Sequence, residues 1–99
     1  MDIEEIKSGN SIQLNVNGNI DTFSSDEFQN YLLSVLQRCT ILVVNLEKVE
    51  RITSAGLRAL LLGQKTAQSK GGSLTVINAS DSILDVFRVT GFDKLLVIR

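Results

Sequence analysis

A run of four apolar residues, Ile41-Leu42-Val43-Val44, lies between two stretches whose apolar residues recur at helical spacing, and this alternation limits the fold more than any other feature of the 99-residue chain. An unbroken, β-branched run of strand length reads as a strand at the centre of a sheet with both faces covered. Upstream, Phe28, Tyr31, Leu32, Val35 and Leu36 share one face of a helix running to about Arg38. Ser24 as N-cap and Glu27 three residues on form a capping box, and Phe23 and Phe28 have the spacing of a hydrophobic staple. Downstream, Leu57, Leu60, Leu61 and Ala67 line a second helix that Gly71-Gly72 stops. Gly56 and Gly63 stand seven residues apart on it, where close packing is expected.

The rest of the chain completes the pattern. Ile3 to Ile6 and Ser11 to Val16 alternate around Ser8-Gly9-Asn10, which predicts an N-terminal antiparallel hairpin. Leu74 to Ile77 is a further strand, and Ser80 or Ser82 caps a third helix carrying Ile83, Leu84 and Phe87 and closed by Gly91. Leu95 to Ile98 is the last strand. The expected fold is α/β, one domain over residues 1–99, with a mixed, mostly parallel sheet after the hairpin, packed with α-helices. In that arrangement Asp21, the Ile52 to Gly56 turn and Asn78 to Ser80 all leave the sheet at the carboxyl ends of parallel strands, the edge where open α/β sheets keep their sites.

Composition narrows the functions. A net charge of -1 without a Lys/Arg stripe argues against a nucleic-acid binder. The apolar runs are strand-length and the acidic N-terminus has no signal-peptide character, which predicts a cytoplasmic protein without membrane insertion. With one cysteine and no histidine, a disulfide framework, a zinc site and the usual serine triad are excluded, and Cys39 is expected to pack as a small hydrophobe. Gly71-Gly72 follows a helix instead of opening one, so no nucleotide loop is present. Asp21 and Ser54 lack an imidazole or a well-placed lysine to work with, so no enzyme, cofactor or metal is expected.

What remains is the step Ile52-Thr53-Ser54-Ala55-Gly56-Leu57, where a charged loop gives way to the second helix. A hydroxyl there caps the helix or carries a phosphate, because the first N–H groups of a helix lack intrahelical partners and the dipole favours negative charge. Thr53 and Ser54 both fit. Leu60, Leu61 and Leu62 cannot all face one core at 100° per residue; with Leu57, Leu60 and Leu61 inward, Leu62 points out with Ala55, Arg58 and Lys65. An apolar spot rimmed by positive charge beside the hydroxyls reads as a protein-binding face.

The chain resembles the STAS domain, in particular the small single-domain anti-sigma factor antagonists of bacteria. The residues that carry the resemblance are Gly18-Asn19-Ile20-Asp21, Val43-Val44-Asn45-Leu46, Ile52-Thr53-Ser54-Ala55-Gly56-Leu57, Gly71-Gly72-Ser73-Leu74, Val86-Phe87 and Gly91-Phe92. The resemblance implies phosphorylation of Ser54, with Thr53 as second choice, by an anti-sigma factor with serine kinase activity. The unphosphorylated form would bind that kinase and free the sigma factor, and a phosphatase would reset the switch. Asp21, Thr53, Ser54, Ala55, Arg58 and Leu62 are the expected partner-binding residues. Family members often have Asp where this chain has Thr53, so a carboxylate beside the serine is replaced by a second hydroxyl. The small cytoplasmic subunit of bacterial lipid-transport ABC systems resembles the same motif, and implies instead an unphosphorylated adaptor on a transporter ATPase.

Overall fold

The computed structural model describes residues 1–99. Strands β1 (Asp2–Ser8) and β2 (Ser11–Asn17) pair antiparallel with Ser8 opposite Ser11. Gly9 takes the positive φ, 61°, that a two-residue hairpin turn demands. Helix α1 (Ser25–Val35) then crosses to β3 (Ile41–Lys48), α2 (Ser54–Ser69) crosses to β4 (Ser73–Ile77), and α3 (Asp81–Thr90) leads to a short 3-10 turn at Phe92–Lys94. The sheet runs β1-β2-β3-β4, with β2, β3 and β4 parallel.

Every parallel step therefore moves the same way across the sheet, and right-handed crossovers that never reverse direction keep their helices on one side. The core follows from this. Ile12, Leu14 and Val16 of β2, Leu42, Val44 and Leu46 of β3, and Leu74 and Val76 of β4 form one buried cluster with Phe28, Leu32 and Val35 of α1, Leu57, Leu60 and Ala67 of α2, and Ile83 and Phe87 of α3. Cys39 joins the cluster as the small hydrophobe expected of it, and burial pushes its thiol pKa up.

The opposite face is bare, which corrects the expectation that Ile41 to Val44 is covered on both sides. Ile41 is 46% exposed and Val43 only half-buried, while Leu42 and Val44 are fully buried. The bare face carries a row of polar side chains bonded to one another across the strands. Asn15 Nδ2 donates to Glu4 Oε1 at 3.0 Å, and its Oδ1 accepts from Gln13 Nε2 and from Asn45 Nδ2, each at 2.9 Å. Asn45 Oδ1 accepts in turn from Asn78 Nδ2 at 3.1 Å.

Other elements differ from expectation at their ends. Leu95 to Ile98 forms no regular strand: only an isolated bridge joins Val76 to Ile98, with Val76 N donating to Val97 O and Arg99 N to Val76 O, both at 2.8 Å. The buried Gln64 of α2 supplies what a neighbouring strand would, its Nε2 donating to Leu95 O and its Oε1 accepting from Val97 N at 2.9 Å. At the start of α1, Ser24 occupies the N-cap position without capping through its side chain, and Phe23 is 96% exposed, so neither the capping box nor the staple forms. The helical hydrogen bonds of α1 tighten after Val35, where Gln37 N and Arg38 N reach Ser34 O and Val35 O. Ser80 does cap α3, accepting from Ile83 N at 3.3 Å, and Gly91 closes it with φ 81°.

Arg38, just past α1, is held to β1. Its Nη1 and Nη2 meet Glu5 Oε1 and Oε2 at 3.0 and 2.9 Å, and Tyr31 Oη donates to the same carboxylate. Hydrogen bonds from Arg38 and then Tyr31 lower the Glu5 pKa from 4.5 to about 2. A group whose folded pKa is depressed adds stability above its unfolded value and loses it as pH falls through the folded one. Between pH 4.5 and about 2 the fold should lose stability, and Glu5→Gln should flatten that part of a denaturation-versus-pH curve. On α2, Leu60 is fully buried and Leu62 39% exposed. Leu60→Ala should therefore cost about 2–5 kcal/mol in urea unfolding, and Leu62→Ala roughly 0.5 kcal/mol or less.

Candidate functional site

The carboxyl edge of the sheet is assembled by two loops that meet after their strands have separated. The register of β2 against β3 slips between Asn15 and Asn17, where Asn17 stands opposite Lys48. The two chains rejoin further on at a parallel bridge between Ile20 and Ile52. There Ile20 N donates to Arg51 O at 3.0 Å and Thr53 N to Ile20 O at 2.9 Å. Asn19 tightens the junction, its Oδ1 accepting from Arg51 N at 3.1 Å. Gly56 sits against it so closely that a Cβ would lie 2.7 Å from Ile20 Cγ2 and 2.8 Å from Ile52 Cγ1. Gly63, seven residues on, faces Leu74 and Leu32 at 3.0 and 3.3 Å by the same measure.

Thr53 is the N-cap residue of α2, with extended backbone (φ -94°, ψ 171°), and its carbonyl accepts the first helical bond from Leu57 N. Its side chain caps nothing. Oγ1 is buried without a hydrogen-bond partner, turned into the protein and away from solvent. Ser54, the first helical residue, is exposed. The two candidate hydroxyls, Ser54 and as second choice Thr53, thus differ in setting: Thr53 Oγ1 is buried and Ser54 is an exposed residue. The first turn of α2 holds no acidic residue, unlike the starts of α1 and α3, so no carboxylate of its own offsets the positive end of its dipole.

Asp21 follows Ile20 directly and organises the turn into α1. Its Oδ1 accepts from Phe23 N at 2.9 Å and from Ser24 N at 3.0 Å. Ser24 Oγ accepts from Asp21 N and donates to Asn19 O, both at 3.0 Å. The hydrogen bonds from Ser24, chiefly its backbone N–H, and from Phe23 hold the Asp21 carboxyl below the ordinary carboxylate range. Asp21 is therefore more than a solvated turn residue: it fixes a loop at the same edge as Ser54.

The helix phase is as the sequence predicts. Leu57 and Leu60 are fully buried, Leu61 half-buried, Ala55 half-buried, and Arg58, Leu62 and Lys65 exposed. Arg58 and Leu62 follow Ser54 at successive intervals of four residues, one line along the helix about 12 Å long. Asp21, Thr53 and Ser54 are thus brought to one edge, and Arg58 and Leu62 extend from it. Asn19, Ser24 and Phe23 were missed as parts of this edge. Asn19 enters the sequence reading only within Gly18-Asn19-Ile20-Asp21, Ser24 as an N-cap and Phe23 as a staple, and the only available signal was an aromatic in a turn that nothing nearby needs to bury. A cavity of about 340 Å³ lies elsewhere, on the bare sheet face among Glu4, Asn15, Asn17, Asn45 and Glu47. No group of three or more His, Cys, Asp or Glu side chains converges to hold a metal, and no helix is long and apolar enough to cross a membrane.

Comparison with known proteins places this geometry among relatives. The anti-sigma-B factor antagonist of Bacillus subtilis is 26% identical over 98 residues, which cover 99% of this chain and 90% of that protein. Solved structures share the fold. The anti-sigma factor antagonist SpoIIAA in its unphosphorylated form superposes with a TM-score of 0.77 at 13% identity, over 99% of this chain and 87% of that one. The Bacillus cell fate determinant SpoIIAA in its phosphorylated form gives 0.75 at 14%, over 99% and 91%. An anti-sigma factor antagonist from Mycobacterium paratuberculosis gives 0.80 at 20%, over 98% and 83%. A family model described as "Mlab, STAS domain" matches residues 3–98, nearly the whole chain, and with the strand order, the helices on one face and the hydroxyl-bearing start of α2 it leads to one conclusion: the chain belongs to the STAS domain family.

Proposed function

We propose that this protein is an anti-sigma factor antagonist switched by phosphorylation of Ser54. In its unphosphorylated form it binds an anti-sigma factor with serine kinase activity and so frees a sigma factor in the cytoplasm. The observation that carries the reading is the exposed Ser54 hydroxyl at the first position of a helix start without acids, beside a Thr53 hydroxyl turned inward. The whole-length similarity to the B. subtilis antagonist supports it, as does a fold shared with a protein known in unphosphorylated and phosphorylated forms.

The chemistry asks little of this chain. The kinase supplies ATP, Mg²⁺ and a base; the base takes the hydroxyl proton, the Ser54 oxygen bonds to the γ-phosphorus, and ADP leaves. The chain is then substrate and ligand, not enzyme. The phosphate adds roughly -1.5 to -2 charges at the positive end of α2, where the fold tolerates them. Four residues along, Arg58 is in reach of that phosphate, and an internal pair would withdraw it from the partner. A phosphatase acting on the same residue returns the antagonist to its binding form.

A second reading keeps the face and drops the switch: a constitutive adaptor on a transporter ATPase, with the hydroxyls serving only local structure. The Mlab description of the matching family model favours it. Intact-mass measurement after incubation with the anti-sigma factor kinase of the same genome and ATP separates the two. The expected result is one added phosphate on the wild type and on Thr53→Ala, and none on Ser54→Ala. Because Ser54 lies inside the helix start and Thr53 holds the N-cap position, Ser54→Ala should change stability by no more than about 0.5 kcal/mol. Phosphate that persists on Ser54→Ala, or a wild type that never gains any, sinks the switch.

A further inference from the structure

Phe23 is out of place for a protein that works alone. It is 96% exposed, more than any other large apolar side chain in the chain, and it stands in a turn where a polar residue would serve as well. The turn fixes the backbone that carries it. Asp21 Oδ1 holds the backbone N–H of Phe23 itself and of Ser24, and Ser24 Oγ ties Asn19 and Asp21 together. An aromatic side chain on a fixed backbone has only two side-chain torsions to lose on binding and a large apolar area to bury, which is the property of an interface anchor.

Its place in the fold joins it to the proposed docking edge. The Ile20 carbonyl accepts from Thr53 N, and Phe23 is three residues beyond Ile20, a reach of at most about 11 Å of extended chain. Phe23 and Ser54 therefore fit within a single protein–protein footprint of about 800 Å² per partner. Charge divides this footprint into halves. The first turn of α1 carries Asp26 and Glu27 and α1 has no basic residue, whereas α2 carries Arg58 and Lys65 and has no acidic one.

We infer that Phe23 is the apolar anchor of the partner interface, inserted in a pocket of the anti-sigma factor kinase that has a basic rim facing Asp26 and Glu27 and an acidic one facing Arg58. The inference rests on the proposed function for the identity of the partner. It assigns the edge a centre that lies outside α2, and it gives Asp21, whose carboxylate points into its own turn, a part in binding as a positioning residue for Phe23.

The test is calorimetric titration of the purified anti-sigma factor kinase of the same genome with wild type, Phe23→Ser, Phe23→Tyr and, as a control at an exposed apolar residue of α3, Val89→Ser, with melting temperature, phosphate incorporation and sedimentation followed in parallel. Phe23→Ser should bind about tenfold or more weakly with an unchanged melting temperature, while Val89→Ser and Phe23→Tyr bind nearly as the wild type does. Equal binding by Phe23→Ser and wild type overturns the anchor and leaves the switch standing. A melting temperature lowered in Phe23→Ser overturns it too, by showing that the ring packs on its own chain. So does a wild-type dimer that Phe23→Ser dissociates, since the ring then serves a second copy. A wild type that binds without gaining phosphate, with Phe23→Ser failing to bind, removes the switch and keeps the anchor; no binding by the wild type overturns both.

Discussion

The bond from Thr53 N to Ile20 O at 2.9 Å, with Ile20 N on Arg51 O and Arg51 N on Asn19 Oδ1 beside it, ties the two loops of the site to each other. The register slip beyond Asn15 would otherwise let β2 and β3 part at their carboxyl ends, and Asp21 would have no fixed relation to Ser54. The bond is kept short of water by what stands on it. Gly56 packs against Ile20 and Ile52 where any Cβ would come within 3 Å of both side chains, so α2 begins almost on top of the bridge. A larger residue at that position would lift the helix start from the loop, and overpacking of this kind commonly costs about 1–3 kcal/mol. The conformational economy of one missing side chain therefore aligns the turn that Asp21 braces with the hydroxyl that Ser54 exposes.

The direction in which the sheet is wound explains the contrast between its faces. Two successive crossovers in one direction put α1 and α2 on the same side, and α3 joins them there to enclose the apolar cluster. The other side must then live with water while still presenting the alternate residues of β2, β3 and β4. Asn15 and Asn45 meet that requirement by bonding to Glu4, Gln13 and Asn78, so the polar side chains partner one another across β1, β2 and β3 to the residue just past β4, and the bare face needs no helix to cover it.

Much of this was legible from residue order, and the failures share a cause. Period-two and helical spacing identified the hairpin, α1, α2, β4 and α3, because those patterns record which side of an element is dry. Leu60 inward and Leu62 outward came from the same geometry. The apolar run at Ile41 misled because composition registers hydrophobicity and not the number of faces covered; the direction of winding, which strips one face of helices, leaves no mark on a single strand. The 95–98 segment misled for a related reason. It has strand composition, but its partner is in part the Gln64 side chain, a pairing that no local pattern records. At the site, the helix start was legible and the turn before α1 was not. Phe23 five residues before Phe28 reads as a staple unless the ring is known to face water, and no local pattern records that Ser24 needs the Asn19 carbonyl and Arg51 its side chain.

Thr53 connects the family pattern to the electrostatics of this particular helix. A carboxylate at that position would place a negative charge at the N-terminus of α2 permanently, offsetting the dipole and lowering the advantage of any further negative charge there. Threonine leaves the position neutral. Its β-branched side chain suits the extended backbone of the cap residue, and its hydroxyl is turned inward and accepts nothing from the helix. The first N–H groups of α2 are accordingly left without a side-chain cap from their own chain, next to an exposed serine hydroxyl and one turn before Arg58. Under the proposed function, a phosphate on Ser54 would be the first negative charge this helix start receives, with unoccupied donors behind it and a guanidinium in reach. The same group would be a liability at an interface, where a charge must shed its water before a partner can close over it. Modification would then favour the folded antagonist and oppose its complex at once, and a switch with that pair of effects can turn off binding without turning off the protein.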